Sequence, residues 1–184
     1  MRKIFVSFLA GIGLAALSAA VHAETGQSYF GVGYHMGTYD ESGFPKANPT
    51  GLKIKAGKYI SENLAMEGHF TLGMQSDTVK VYVPGYGNLN VDIDLKNAIS
   101  LFLKADLPLA QTGKIYGLFG FTRGELEGSA LGYSYSEDDS GLSYGFGIDI
   151  KVNQDMYLGG EYIMYIDESG YDYSGINLGI TSSF

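Results

Sequence analysis

From Tyr29 onward the chain alternates. Phe30, Val32, Tyr34 and Met36 share one parity, while Tyr29, Gly31, Gly33 and His35 share the other, which is the period of two that a strand imposes on its two faces. The rhythm returns seven times, over residues 52–57, 64–75, 98–107, 115–122, 142–152, 156–166 and 175–184. In 64–75, Leu64, Met66, Phe70, Leu72 and Met74 oppose Glu67, His69, Thr71 and Gln75; in 98–107, Ile99, Leu101, Leu103 and Leu107 oppose Ser100, Phe102, Lys104 and Asp106. Eight strands are therefore expected. Most lie near the ~9 to 11 residues that a tilted strand needs to cross a bilayer.

The connections alternate too. Segments 61–63, 108–113 and 153–155 are short, whereas 38–49, 76–93, 125–141 and 167–173 are longer and polar. Short turns at one rim and long loops at the other predict an all-β fold, an eight-stranded antiparallel up-and-down transmembrane β-barrel with both chain ends at the periplasmic rim.

Alternation alone does not say which face meets solvent, because an eight-stranded ligand carrier is apolar inside. The composition of the faces decides it. One face holds nearly all the Leu, Ile, Phe and Met. The other holds Gly, Ser, Thr and eight charges: Lys53, Lys55, Lys104, Lys151, Glu67, Asp106, Asp149 and Glu161. A narrow barrel cannot enclose large apolar residues from every strand, but glycine-rich strands with paired charges fit. The apolar face also carries no charge except Lys58 near a rim, as hydrocarbon requires.

The ends and the composition narrow the picture. Residues 1–23 carry Arg2 and Lys3, an apolar run and a small-x-small ending at Ala23, so a cleaved secretory signal is expected there, followed by one barrel domain over 24–184. Taking Arg2 and Lys3 from the 12 basic residues leaves 10 against 20 acidic ones, a net charge of −10 for residues 24–184. That balance disfavours nucleic acid as a partner. With no cysteine, disulfides, thiol catalysis and Cys-ligated metals drop out.

Candidate chemistry centres on Glu67 and His69 within LAMEGHFTLGMQ. A hydrolase needs a nucleophile, a base and an orienting acid at one rim, whereas His69 is expected in the lumen near mid-barrel, out of a lipid's reach. His35 has no neighbouring Ser in sequence, and no His-x-Ser motif occurs. No catalytic residue, cofactor or metal ligand is assigned. The segment Ser136-Glu137-Asp138-Asp139-Ser140-Gly141 lacks the ligand spacing and distal Glu of an EF-hand loop. Instead Glu67, Lys104, Asp106, Asp149, Glu161 and His69 are read as a structural ion-pair cluster inside the barrel, since buried charge is costly unless paired. Twelve acidic residues in the four long loops face only Lys46 and Lys80, an exposed acidic surface.

The segments YFGVGYHMG, LAMEGHF, LFLKADLPL, KIYGLFGFT and the terminal GITSSF resemble the small outer-membrane β-barrel superfamily that includes the transmembrane domain of outer membrane protein A and the Ail and Lom barrels. The resemblance covers residues 24–184. It implies an interior ion pair at the matching positions Glu67 and Lys104, and an assembly signal at Phe184, through which the C-terminal strand would meet the barrel assembly machinery. Gly159 departs from the pattern, standing where that family carries an interior Arg. The expected function is a structural or cell-surface role such as envelope integrity, adhesion or stress tolerance. Outer-membrane lipid and lipopolysaccharide are the expected partners, with host or phage ligands at the loops. The alternatives are a minor porin-like pore for small solutes and, more remotely, a lipid A-modifying enzyme.

Overall fold

The computed structural model describes residues 24–85, 87–109, 112–168 and 170–184. The expected signal segment, 1–23, lies outside the described residues. Nine strands follow in order: β1 (Ser28–Glu41), β2 (Thr50–Ser61), β3 (Leu64–Gln75), β4 (Asp77–Val83), β5 (Gly87–Leu109), β6 (Gly113–Ala130), β7 (Tyr133–Lys151), β8 (Met156–Asp167) and β9 (Tyr171–Ser183). All pairings are antiparallel, in the order β3-β2-β1-β9-β8-β7-β6-β5-β4, with a further pairing of β3 to β5. That last pairing runs from Leu64↔Ala105 to Leu72↔Asn97 and closes eight strands into a ring. The ninth, β4, pairs only with the upper part of β5, from Asp77↔Ile93 to Val83↔Gly87. It is the outer arm of a hairpin that rises above the ring.

The two parities separate as the alternation predicts. On β6, Phe119 is 60% exposed while the adjacent Leu118 is 4% exposed. The outward set includes Phe30, Val32, Phe70, Leu72, Ile99, Leu101, Leu103, Phe146, Ile148, Leu178 and Ile180, an apolar belt around the barrel. From Ile99 to Leu107 it covers roughly 20 Å of height at a ~40° strand tilt, close to the ~25 Å apolar band of outer-membrane barrels. Lys58 sits exposed below this belt. The ends meet at the same rim: Ser28 N donates to Phe184 O at 3.1 Å and Phe184 N donates to Ser28 O at 2.9 Å.

Three of the four segments expected as long loops are largely strand. Segment 76–93 forms β4 and the start of β5, 125–141 is the continuation of β6 into β7 around Leu131-Gly132, and 167–173 closes through a tight turn. Only 42–49 remains mostly irregular, tied down by the Tyr39↔Ala47 bridge. Above the bilayer both faces of a strand can meet water, so the apolar-outside signature fades while the hydrogen-bonded ladder persists.

Strand β5 also changes face. Its register against β6 slips between Leu95 and Asn97, a bulge that reverses which parity points inward. Below it Ala98, Ser100, Phe102 and Lys104 are buried; above it Leu95 and Ile93 are.

Candidate functional site

The lumen is built in three storeys from inward positions on all eight ring strands. The lowest is ionic. Lys104 Nζ on β5 lies 3.4 Å from Asp149 Oδ2, 3.6 Å from Asp106 Oδ1 and 3.8 Å from Glu67 Oε2, and it sits 4.0 Å from the centroid of the Tyr116 ring. Lys114 pairs with Asp106 at 2.9 Å, and Tyr59 donates to the same carboxylate. Tyr29 donates to Glu67 Oε2 at 2.6 Å, and His69 Nε2 contacts its other oxygen. Slightly higher, Glu161 receives Lys53, Lys55 at 3.6 Å and the Tyr116 hydroxyl at 2.9 Å. Four lysines thus meet four carboxylates, an arrangement that lets buried charges satisfy one another.

Glycine makes the room. A Cβ on Gly57 would run into the Tyr29 ring, and one on Gly147 into the Tyr116 ring. Gly159, opposite Asp149 in register, leaves space for the Asp149 carboxylate, which a Cβ there would strike. The departure from the family pattern at Gly159 therefore has a local reason: Asp149 leans into the volume that a side chain at 159 would need.

The middle storey is a neutral girdle. Ser143 Oγ lies 2.7 Å from both Thr122 Oγ1 and the Tyr165 carbonyl, and Thr122 donates to Ser100 at 2.8 Å. His35 Nδ1 lies 2.8 Å from Asn177 Oδ1 and Nε2 lies 2.7 Å from the Tyr173 hydroxyl. Because the amide oxygen can only accept, Nδ1 carries the proton, and in the neutral imidazole Nε2 then accepts from the Tyr173 hydroxyl. Among the described residues neither His35 nor His69 is hydrogen-bonded to a serine, and no group of three or more His, Asp and Glu is placed to hold a metal ion.

The top storey is a cup of about 550 Å³. Its floor includes Leu95 and Ala98, Leu126 and Ile166 form part of its walls, and Tyr39, Tyr171 and Tyr173 present their rings to it. The β4–β5 hairpin and segment 42–49 buttress one side through Val79, Ile93 and Ala47, packed against Phe44 and Tyr39. Outside the cup, Asp40, Asp172 and Asp167 lie side by side across β1, β9 and β8, with Lys46 2.7 Å from Asp40. Asp172 is held above the ordinary carboxylate range by partial desolvation and by the charge of Asp167.

The residues singled out in sequence fall together with two changes. Glu67, His69, Lys104, Asp106, Asp149 and Glu161 share the ionic storey, joined by Lys114, which lies one position before the start of the expected fifth strand. Lys151 is half-buried at the periplasmic end and forms no ion pair among the described residues. The tyrosine partners Tyr29, Tyr59 and Tyr116 went unassigned although Tyr29 and Tyr116 stand on the inward parity of their segments.

Similar proteins give this geometry a place. The family model for the outer membrane protein beta-barrel domain matches residues 7–184. No curated protein sequence matches. Among solved structures, Ail, the attachment invasion locus protein of Yersinia pestis, aligns over 88% of this chain and 100% of its own at 21% identity and a TM-score of 0.63. Neisserial surface protein A aligns over 85% and 97% at 15% identity with a TM-score of 0.61, and OprG of Pseudomonas aeruginosa over 89% and 98% at 13% and 0.61. At such identities the structures speak for the fold, and the family model carries the assignment: the chain belongs to the outer membrane protein beta-barrel family, a barrel of the Gram-negative outer membrane.

Proposed function

We propose that this barrel is closed to solutes and acts through its extracellular end, as a structural or surface-interaction protein of the envelope with a part in adhesion, envelope integrity or stress tolerance. One observation carries the reading: the lumen is occupied across its section, with Glu67 0% and Lys104 1% exposed at the level of the ionic storey. Eight-stranded barrels have interiors that side chains fill, and moving an ion through this one would mean breaking desolvated ion pairs. The ionic storey is read as structural cross-linking rather than catalysis. Both histidines are buried inside the lumen, His35 at 0% and His69 at 3% exposure, away from the surface a lipid substrate would reach, which supports a non-enzymatic role.

The partners follow from the surfaces. The apolar belt suits outer-membrane lipid, and the acidic outer end suits cationic or divalent-bridged ligands, lipopolysaccharide among them, or host and phage contacts. Ail of Yersinia pestis has been crystallised in complex with the heparin analogue sucrose octasulfate; the carboxylate-rich outer end here argues against the same polyanion chemistry in this protein. The exposed terminal Phe184, next to the strand seam between β1 and β9, is read as the assembly signal. Residues 1–23 are read as a cleaved signal, so the mature protein should begin at Glu24 by mass spectrometry.

Planar-bilayer recording tests the central point. A silent bilayer is expected from correctly folded protein; stable, long-lived single-channel steps would overturn the closed reading in favour of a minor pore. Removing the β4–β5 arm above the ring and assaying binding to cells and lipopolysaccharide tests the surface role, which fails if binding is unchanged. A lipid A modification lost in His35→Ala would refute the non-enzymatic reading.

A further inference from the structure

We propose that the cup at the extracellular mouth is a binding site for a small organic cation with an aromatic or otherwise apolar body. Its volume, about 550 Å³, falls in the ~300 to 1,000 Å³ range of small-molecule pockets. It is blind, because the Ser100–Thr122–Ser143 and His35–Asn177–Tyr173 hydrogen bonds close the space beneath it. Its interior is apolar where the chain could have been polar: the bulge in β5 turns Leu95 and Ile93 inward where an unbroken strand would have pointed Lys96 and Asp94. An apolar concavity open to water favours an apolar occupant.

The sign of the ligand's charge follows from the rim. Glu41, Glu137, Asp139 and Glu127 line the cup, and among the described residues no basic side chain does. Glu127 is already matched by Lys96 at 2.9 Å. On β7 the alternation sorts the rest, with Asp138 turned outward to Arg123 at 3.6 Å, while Glu137 and Asp139 on the inward parity form no ion pair among the described residues. Tyr39, Tyr171 and Tyr173 add ring faces, which attract cations by their quadrupoles. A low-dielectric wall lined by one sign of charge concentrates the opposite charge. An anion would meet carboxylates, and a small inorganic cation would gain nothing from the apolar floor.

This site deepens the surface-interaction reading and rests on it. The test uses the folded barrel in phosphatidylcholine nanodiscs, titrated calorimetrically with benzyltrimethylammonium and, separately, with benzylsulfonate. Saturable one-to-one binding of the cation, weakened by salt, is expected, with little binding of the anion. Glu137→Gln combined with Asp139→Asn should weaken the cation by roughly fivefold or more, from two partly screened charges. Gly128→Phe should abolish it by filling the cup, since a Cβ at 128 would meet only Ile93 Cδ1 at 3.7 Å, an ordinary contact; circular dichroism confirms that this variant is folded. The proposal is refuted by the absence of saturable binding, by equal binding of the anion, or by full retention of binding in Gly128→Phe. If the cation binds and also crosses the membrane in proteoliposomes, the site stands and the closed lumen falls; a silent bilayer with no cation binding removes this site alone.

Discussion

Replacing Lys104 by Met removes one cation from beneath three carboxylates while nearly preserving side-chain length, so the change is electrostatic more than volumetric. The three do not suffer equally. Glu67 keeps the Tyr29 hydroxyl and His69, and Asp106 keeps Lys114 and Tyr59. Asp149 receives its hydrogen bond from Lys104 Nζ at 3.4 Å, and its other oxygen has no hydrogen-bond partner among the described residues. Breaking a buried pair by removing one partner costs about 3–5 kcal/mol. With two of the three carboxylates still held, a loss of about 2–4 kcal/mol is expected for Lys104→Met on that scale. The chain has no tryptophan, so unfolding in phospholipid vesicles against guanidinium is followed by circular dichroism. The double variant Lys104→Met/Asp149→Asn should recover part of the loss, with a coupling of about 1–3 kcal/mol between the two positions. A single variant within about 0.5 kcal/mol of the parent, the size expected of an uninvolved site, would show that this lysine does not neutralise the cluster, and additive effects would separate it from Asp149.

Gly57→Ala should destabilise the barrel by about 1–3 kcal/mol, the usual cost of overpacking, because its Cβ lands on the Tyr29 ring; Gly117→Ala, facing outward with nothing within 4 Å, should be close to neutral in the same unfolding assay. Asp172 should titrate above a free aspartate in carboxyl NMR. Since a raised folded value means that the neutral form is favoured by folding, the strain at this end grows as pH rises through the carboxylate range; Lys46→Ala should push Asp172 further up, because the lysine charge opposes the shift. A downward shift in that variant would contradict the arrangement of Asp40, Asp167 and Asp172. Deleting Phe184 should lower the amount of barrel inserted in the outer membrane, and undiminished surface levels would count against its reading as an assembly signal.

The ring was legible in the chain because lipid imposes a stringent filter: outward positions such as Leu101, Phe119 and Ile148 must be apolar and inward ones need not be. Where the filter lapses, legibility lapsed with it. Asp77-Thr78-Val79-Lys80-Val81-Tyr82-Val83 and Leu89, Val91, Ile93 and Leu95 alternate as plainly as any transmembrane segment, and the Pro84-Gly85 turn separates them, so the β4–β5 hairpin had a readable signal that the polar surroundings masked. The bulge at Lys96 had none, because the apolar residues stay on odd positions from Leu89 to Leu95 and again from Ile99 to Leu107, so the alternation shows no change of phase where the face reverses. Lys114 was hidden by a boundary drawn one residue late. Glu67 and Lys104, the pair implied by the family resemblance, lie 3.8 Å apart, but the other partners lay beyond reach for a different reason: Lys104, Asp149 and Tyr116 come from three strands, and parity tells which residues face the lumen but not which of them meet across it.

The pairing inside the barrel also determines where the protein's charge is expressed. Lys53, Lys55, Lys104 and Lys114 balance Glu67, Asp106, Asp149 and Glu161, so the lumen contributes no net charge. The periplasmic rim carries Glu24, Glu62 and Asp155 against Lys58 and Lys151. What remains is the outer extension, where thirteen carboxylates face Lys46, Lys80, Lys96 and Arg123, leaving nine negative charges on the portion of the strands above the belt. Such a density is repulsive within itself: at Asp172 the charge of Asp167 adds to partial desolvation in holding the carboxyl above its ordinary value. Twelve of these thirteen carboxylates lie on strands, eight of them on β4 to β7, so hydrogen-bonded ladders rather than free loops hold them side by side. On the proposed surface role, cations from outside the chain would relieve that repulsion, so the outer end is read as a surface completed by what it binds.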